Sequence, residues 1–398
     1  MKNKIIKMPK IPNMLYMGLL IMIIKVYANA SSILIYNDNV DTLLSVVGIG
    51  CLVLHCLTKK YNIKTIIIYT IFVLLGLISI IKMGNYNIFI TVVTCLAIRE
   101  EPINKIINFI FKYECLFFVT HLIYALLRMV IINDSYAQVI YGVVRYDMGF
   151  GHPNRFSILL FNLLIMWIWL NFDRLQMLNI IIILAISLVS YMVTKTRTNE
   201  IALLIMLGLL SLYIYIPRAL SRLFKIVSKY IVVILAGISM AASILYVNGG
   251  ELFKVIDVIF SGRIRLGAYA YKNFGLTLLG RNLSNVVVKY DDIFRLKQFT
   301  FDNIYTDLCM QQGIIWLVTI ILLFYKLNQL NNDKINFAII AWAIYGITEV
   351  HGLNVYMLFP ILLVSELFDK KQNIEKYVIN KSNKLGENND EKNLHIWL

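Results

Sequence analysis

A chain of 398 residues with 59% hydrophobic and only 15% charged positions carries far fewer charges than the roughly 25% of a soluble domain. One soluble core cannot hide so much Ile and Leu, so lipid must solvate most of the chain. The net charge of +15 does not point to nucleic acid, because in a membrane protein the placement of Lys and Arg is what informs.

In chain order, apolar runs predict spans at about 13–32, 41–57, 63–81, 85–98, 106–131, 153–171, 177–194, 199–216, 230–247, 303–326, 335–350 and 352–368. Several approach the roughly 20 residues that a crossing helix needs. The expected class is an all-α integral membrane protein of about twelve transmembrane helices. Residues 1–247 hold the first nine, 248–302 form one long extracytoplasmic loop, 303–368 hold the last three, and 369–398 make a short tail. The tail is rich in Asn, Lys and Glu, a composition of disorder. Lys25 inside the first run argues against cleavage of a signal peptide after Ala28-Asn29-Ala30. The five cysteines, Cys51, Cys56, Cys95, Cys115 and Cys309, lie in or beside apolar runs without metal-ligand spacing. They read as packing.

With the N-terminus in the cytoplasm, the short inner loops hold sixteen Lys and Arg, from Lys2 to Lys334. The short outer loops hold four: Lys82, Arg145, Lys195 and Arg197. This positive-inside bias places both termini in the cytoplasm and the long loop outside.

The cations left outside are then the informative ones. The loop 248–302 carries Lys254, Arg263, Arg265, Lys272, Arg281, Lys289, Arg295 and Lys297 against Glu251, Asp257, Asp291, Asp292 and Asp302. Long loops are exempt from the charge rule, so a solvated basic loop is one reading. An electropositive cap for an anion is the other, since a guanidinium grips phosphate oxygens in pairs. Leu252–Phe260 reads as a short amphipathic interfacial helix, and Ser261-Gly262-Arg263 as a turn that brings Arg263 and Arg265 back towards the bilayer. Thr194-Lys195-Thr196-Arg197-Thr198-Asn199 sets two cations among hydroxyls between adjacent spans. In Arg145–Arg155, Gly149 and Gly151 permit a tight path, and Pro153 suits a first helical turn while forcing His152 out of helical geometry.

Polar groups within spans need partners. Glu114, His121 and Arg128 recur every seven residues and form one stripe that drifts about 20° per step; it is either a structural seam or a cavity wall. Lys25 and His55 read as single groups that snorkel or are satisfied by a neighbour rather than catalytic. Glu349 and His351, between the last two spans, are either a carboxylate–imidazole pair or helix caps.

At these residues the sequence resembles bacterial polysaccharide repeat-unit polymerases of the Wzy type and the related O-antigen ligase family. Four pieces in order carry the resemblance: Arg145 with Gly149–Asn154; Thr196-Arg197-Thr198; Ser261-Gly262-Arg263 with Gly280; and Asp302–Tyr305 with Gln312-Gly313. Glu349 is a looser fifth. Layout matches along nearly the whole chain, motif over about thirty residues. The resemblance implies glycosyl transfer from one undecaprenyl-pyrophosphate-linked glycan to a hydroxyl of another, at the outer face of the bacterial plasma membrane. Membrane lipid, a flippase and a chain-length regulator are the expected partners, and nucleic acid is not.

The chemistry agrees with that implication. A departing diphosphate needs fixed cations in a poorly hydrated site, for which Arg197, Arg263 and Arg265 stand first and Arg145 next. The attacking hydroxyl needs a base: His152, with Glu349, His351 and Asp302 as alternatives. Asn154, Asn303 and Tyr305 would bond sugar or orient the base. No Asp-x-Asp pair precedes the arginines, so transfer without a metal or other cofactor is expected. A ligase shares this layout. A lipid-linked oligosaccharide flippase is the rival from another class, although no similarity between the two halves, such as many transporters show, is visible.

Overall fold

In lipid the backbone has no solvent partner for its N–H and C=O groups, so apolar runs coil into helices. The computed structural model describes residues 13–59, 61–84, 86–140, 142–283, 286, 288, 294 and 299–368. The expectations for Lys2, the other lysines before Asn13, Lys289, Asp291, Asp292, Arg295, Lys297 and the tail 369–398 fall outside these residues.

The helices are α1 (Met14–Ala30), α2 (Asp38–Leu57), α3 (Ile63–Met83), α4 (Asn87–Ala97), α5 (Ile103–Ile131), α6 (Pro153–Asn171) and α7 (Met177–Thr194). Then come α8 (Arg197–Tyr215), α9 (Pro217–Val247), α10 (Glu251–Ile259), α11 (Arg263–Phe274), α12 (Ile304–Asp307), α13 (Ile314–Asn328) and α14 (Asp333–Gly346). Boundaries follow local chemistry. Asn37, Asn62 and Asn332 cap α2, α3 and α14 with side-chain oxygens that accept backbone N–H groups, an ordinary asparagine role.

Among the described residues, α2, α3, α5, α6, α7, α8 and α9 are long and apolar enough to cross a membrane. The chain is therefore an all-helical membrane protein with one small sheet. Helix α6 is the centre of the bundle: 72% of its apolar window is buried, against 17–33% for the other six.

Four further apolar helices are shorter: α1, α4, α13 and a 3-10 helix at Phe359–Phe368. The last differs from the α-helical span expected over 352–368. Pro360 has no N–H to donate, and the Phe359 N–H goes to the Asn162 side chain at 2.9 Å instead. Helix α13 begins only after a π-helical turn at Leu308–Gln312, so the expected span 303–326 is broken at its start.

Two strands, β1 (Ala137–Ile140) and β2 (Val143–Tyr146), pair antiparallel with Gln138 opposite Arg145. This hairpin was not expected from the sequence, although Val139, Val143 and Val144 are typical strand residues. The expected short helix at 252–260 is α10, with Leu252, Val255, Val258 and Ile259 exposed.

The expected polar stripe of α5 divides into three unrelated contacts. Glu114 accepts a hydrogen bond from Asn162 of α6 at 3.0 Å, His121 packs on the Phe150 ring, and Arg128 pairs with Asp134 at 2.6 Å. Glu114 and His121 thus tie α5 to α6 and to the turn before it, while Arg128 pairs with a residue just beyond the end of its own helix. Lys25 is satisfied by Asp41 of α2 at 3.1 Å, and all five cysteines are free thiols.

Candidate active site

Hydrogen bonds gather the motif segments at one end of the bundle. Arg155 in the first turn of α6 donates to the Asn29 carbonyl near the end of α1. Ser157, one residue pair further on, shares hydroxyl bonds with Thr194 and Thr196 at the α7–α8 turn. Arg263, the first residue of α11, reaches the segment that follows α14.

Arg263 is the hub. Ser261 and Gly262 both take left-handed backbone conformations, with φ of 55° and 86°, and this tight turn directs the first side chain of α11 inwards. Its Nε donates to the carbonyls of Thr348 at 3.0 Å and Asp302 at 3.3 Å, and its Nη1 to that of Phe260 at 3.3 Å. Its Nη2 lies 3.8 Å from Oε1 of Glu349, and both side chains are buried. Three carbonyls and one carboxyl thus surround one guanidinium, whose planar fork suits several acceptors at once.

The groups around it have shifted protonation. Burial pushes the Glu349 carboxyl up to about 8, against the pull of Arg263 and with a further push from Asp302. Burial likewise raises Asp302, against Arg263 and His152. Desolvation holds His351 down to about 4, aided by Arg155. Two carboxyls and a neutral imidazole are therefore held near a buried cation, and perturbed groups of this kind cluster where chemistry is done.

His152 caps α6: its Nδ1 accepts the Asn154 N–H at 3.1 Å. Desolvation, then Arg155 and Arg145, keep this imidazole below its ordinary value, so it is neutral with its proton on Nε2. The ring therefore offers a donor to the site, while its lone pair is occupied by the cap. The sequence placed it first as a candidate base; in the structure its Nδ1 is engaged in the cap. The turn before it is rigid. Asp147 accepts from Gln138 at 2.6 Å and from the Gly149 N–H at 2.8 Å, which ties the hairpin to the turn. A Cβ on Gly149, where φ is 81°, would meet Ile33. Arg145, on β2, is near enough to His152 to act on its charge.

Other expected site residues are placed differently. Arg197 is exposed at the first turn of α8 and makes no ion pair among the described residues. Arg265 folds over its own turn towards Asp257, 3.8 Å away. Asn303 caps α12 by accepting from the N–H groups of Tyr305 and Thr306, and its amide donates to Ser239 at 3.1 Å. Tyr305 is wholly buried and donates to the Ala343 carbonyl at 2.7 Å. Both were expected against sugar, but their polar atoms are engaged in holding α12. Asn154 contributes its N–H to the His152 cap.

Two residues escaped the sequence reading. Arg155 lies three positions after His152, one turn of helix, and acts on both His152 and His351. Tyr345 lies four before Glu349, and its buried hydroxyl has no partner among the described residues. Both lie within four residues of a motif position in the sequence.

No family model, curated protein or solved structure matches the chain.

Proposed function

We propose that this protein joins lipid-linked sugars, as a polymerase that moves a glycan from one polyprenyl-diphosphate carrier to a hydroxyl of a second lipid-linked glycan. The seven long helices, the four shorter apolar ones and α14 would make twelve crossings of a bacterial plasma membrane. The positive-inside count then puts the Arg263 end outside and both termini in the cytoplasm.

The observation that carries the reading is the buried Arg263 set between Glu349 and Asp302, with Arg145, Arg155, His152 and His351 around it. In the transfer, the acceptor oxygen forms a bond to the anomeric carbon while the bond from that carbon to the diphosphate oxygen breaks. The diphosphate leaves with the bonding electrons, and cations fixed in a dry site stabilise it. Arg263 and Arg145 serve there, and the His152 Nε2–H donates to the same oxygens. The acceptor proton passes to Asp302, whose burial raises its affinity for a proton as a general base requires. Glu349, protonated below about 8, leaves Arg263 its full charge for the diphosphate.

The test is to delete the gene and analyse the lipid-linked glycans on each face of the membrane. Single repeat units on the outer face support the reading. Full-length polymer retained on the carrier would make the chain a ligase, and units trapped inside would make it a flippase.

A further inference from the structure

Helix α10 leaves an apolar face uncovered. Leu252, Val255, Val258 and Ile259 are 64–80% exposed, and at about 100° per residue they share a face about 120° wide. The opposite face is the one the protein uses: Phe253 packs on the core and Asp257 is buried. Glu251 and Lys254 pair with each other at 2.6 Å in the first turn. An exposed apolar face beside a spanning helix marks a contact surface.

The position of α10 says what covers that face. Helix α9 carries no charge from Tyr230 to Val247. That stretch is about 27 Å long at 1.5 Å per residue, close to the roughly 30 Å of bilayer hydrocarbon. It leaves the hydrocarbon near Val247, and α10 starts at Glu251. The turn between them is tight: Gly249 is left-handed with φ of 84°, and the Gly250 N–H donates to the Leu245 carbonyl at 3.1 Å. Helix α10 is therefore held at the end of α9, whose Ile238 and Leu245 are exposed as a lipid-facing span requires. A second copy is the poorer occupant, since four side chains fall far short of the roughly 20 residues that each partner gives a stable protein interface.

We propose that α10 is a lipid anchor: its apolar face lies in the headgroup boundary of the membrane, and its buried face sets the position of Arg263. An amphipathic helix in that boundary buries its apolar side by about 5–10 Å. The link to Arg263 consists of hydrogen bonds. The Asp257 carbonyl accepts the Gly262 N–H at 2.8 Å, and the Asp257 carboxylate accepts the Arg265 N–H at 2.9 Å. The Phe260 carbonyl accepts from Nη1 of Arg263 at 3.3 Å. The turn that aims the guanidinium is thus bonded to a helix seated on lipid. The lipid contact does not depend on the proposed transfer, which only assigns Arg263 its use.

The test uses the full chain in nanodiscs of phosphatidylcholine brominated either at the sixth and seventh or at the eleventh and twelfth acyl carbons. Val258→Trp is compared with the parent, so that the difference in emission belongs to position 258. The shallow bromines should quench it severalfold more than the deep ones. No quenching, as water or a second copy over the face would give, or stronger quenching by the deep bromines, would overturn the anchor. Hydrogen exchange reads the link. Val258→Asp should speed exchange at the amides of Gly262, Arg265 and Leu266 about tenfold, the effect of losing one hydrogen bond, and leave those of α6 unchanged. Should the charge also open α6, Val258→Ser supplies the comparison, with a smaller rise confined to the same amides. Exchange equal to the parent in both variants would overturn the link. Neither readout requires polymer, so a chain shown to make none would sink the polymerase reading and leave the anchor standing.

Discussion

The Arg263 guanidinium lies 3.8 Å from the Glu349 carboxyl, although Arg263 belongs to the long loop and Glu349 follows α14. Neither segment explains the contact alone. The left-handed pair Ser261-Gly262 aims Arg263 inwards, and the Thr348 carbonyl, one residue before Glu349, accepts from its Nε. Shortening the side chain or changing its head should therefore break several bonds together. Arg263→Ala should reduce polymer by at least a hundredfold. Arg263→Lys should fall nearly as far, because an ammonium cannot reproduce the guanidinium fork. Chain length on gels and the amount of membrane-inserted protein check both; near-normal polymer in the Lys variant would remove the bidentate role.

Arg197 provides the contrast. It is exposed and unpaired among the described residues, so its charge is screened by water and salt. Arg197→Ala should cost less than about tenfold in polymer, an effect that shrinks as salt rises. A loss equal to that of Arg263→Ala would place Arg197 in the buried site during turnover.

Composition and periodicity were enough to read the helices, and the charge bias picked out the loops that the structure collects at one end. What they could not supply was the use of each polar atom. Tyr305 and Asn303 look like sugar ligands in a motif, yet both are consumed by the packing of α12. The stripe Glu114, His121, Arg128 has the right period for one continuous face, but its members find separate partners, because those are set by Asn162 and Phe150 from other segments and by Asp134 just past the end of α5. The broken start of α13 was hidden for a similar reason. A π-turn depends on the loop clamped behind it, and that contact is not written in local hydropathy.

Glu349 sets a pH dependence whose sign follows from its raised affinity. Its proton is held more tightly in the folded chain, at about 8, than at its ordinary 4.5. The stability from keeping it protonated is complete below 4.5 and is lost as pH rises through 8. Glu349→Gln imitates the protonated carboxyl at all pH values. Its melting temperature in detergent should match the parent near pH 5 and exceed it near pH 9. A variant less stable than the parent at pH 9 would show that the carboxylate form is the native one beside Arg263.

His152 separates capping from catalysis. As cap, its Nδ1 accepts the Asn154 N–H, and asparagine does the same at helix N-termini. His152→Ala should lower stability by about 1 kcal/mol and loosen the turn that positions Arg145 and Arg155. His152→Asn should restore the melting temperature, and its amide N–H should retain most of the donor function, so polymer should recover to within about tenfold of the parent. The pH profile makes the test independent of folding. If the base is Asp302, the acidic limb of activity should survive in His152→Asn. An Asn variant that is stable but inactive at every pH would return the imidazole to the role of base, with its cap released during turnover.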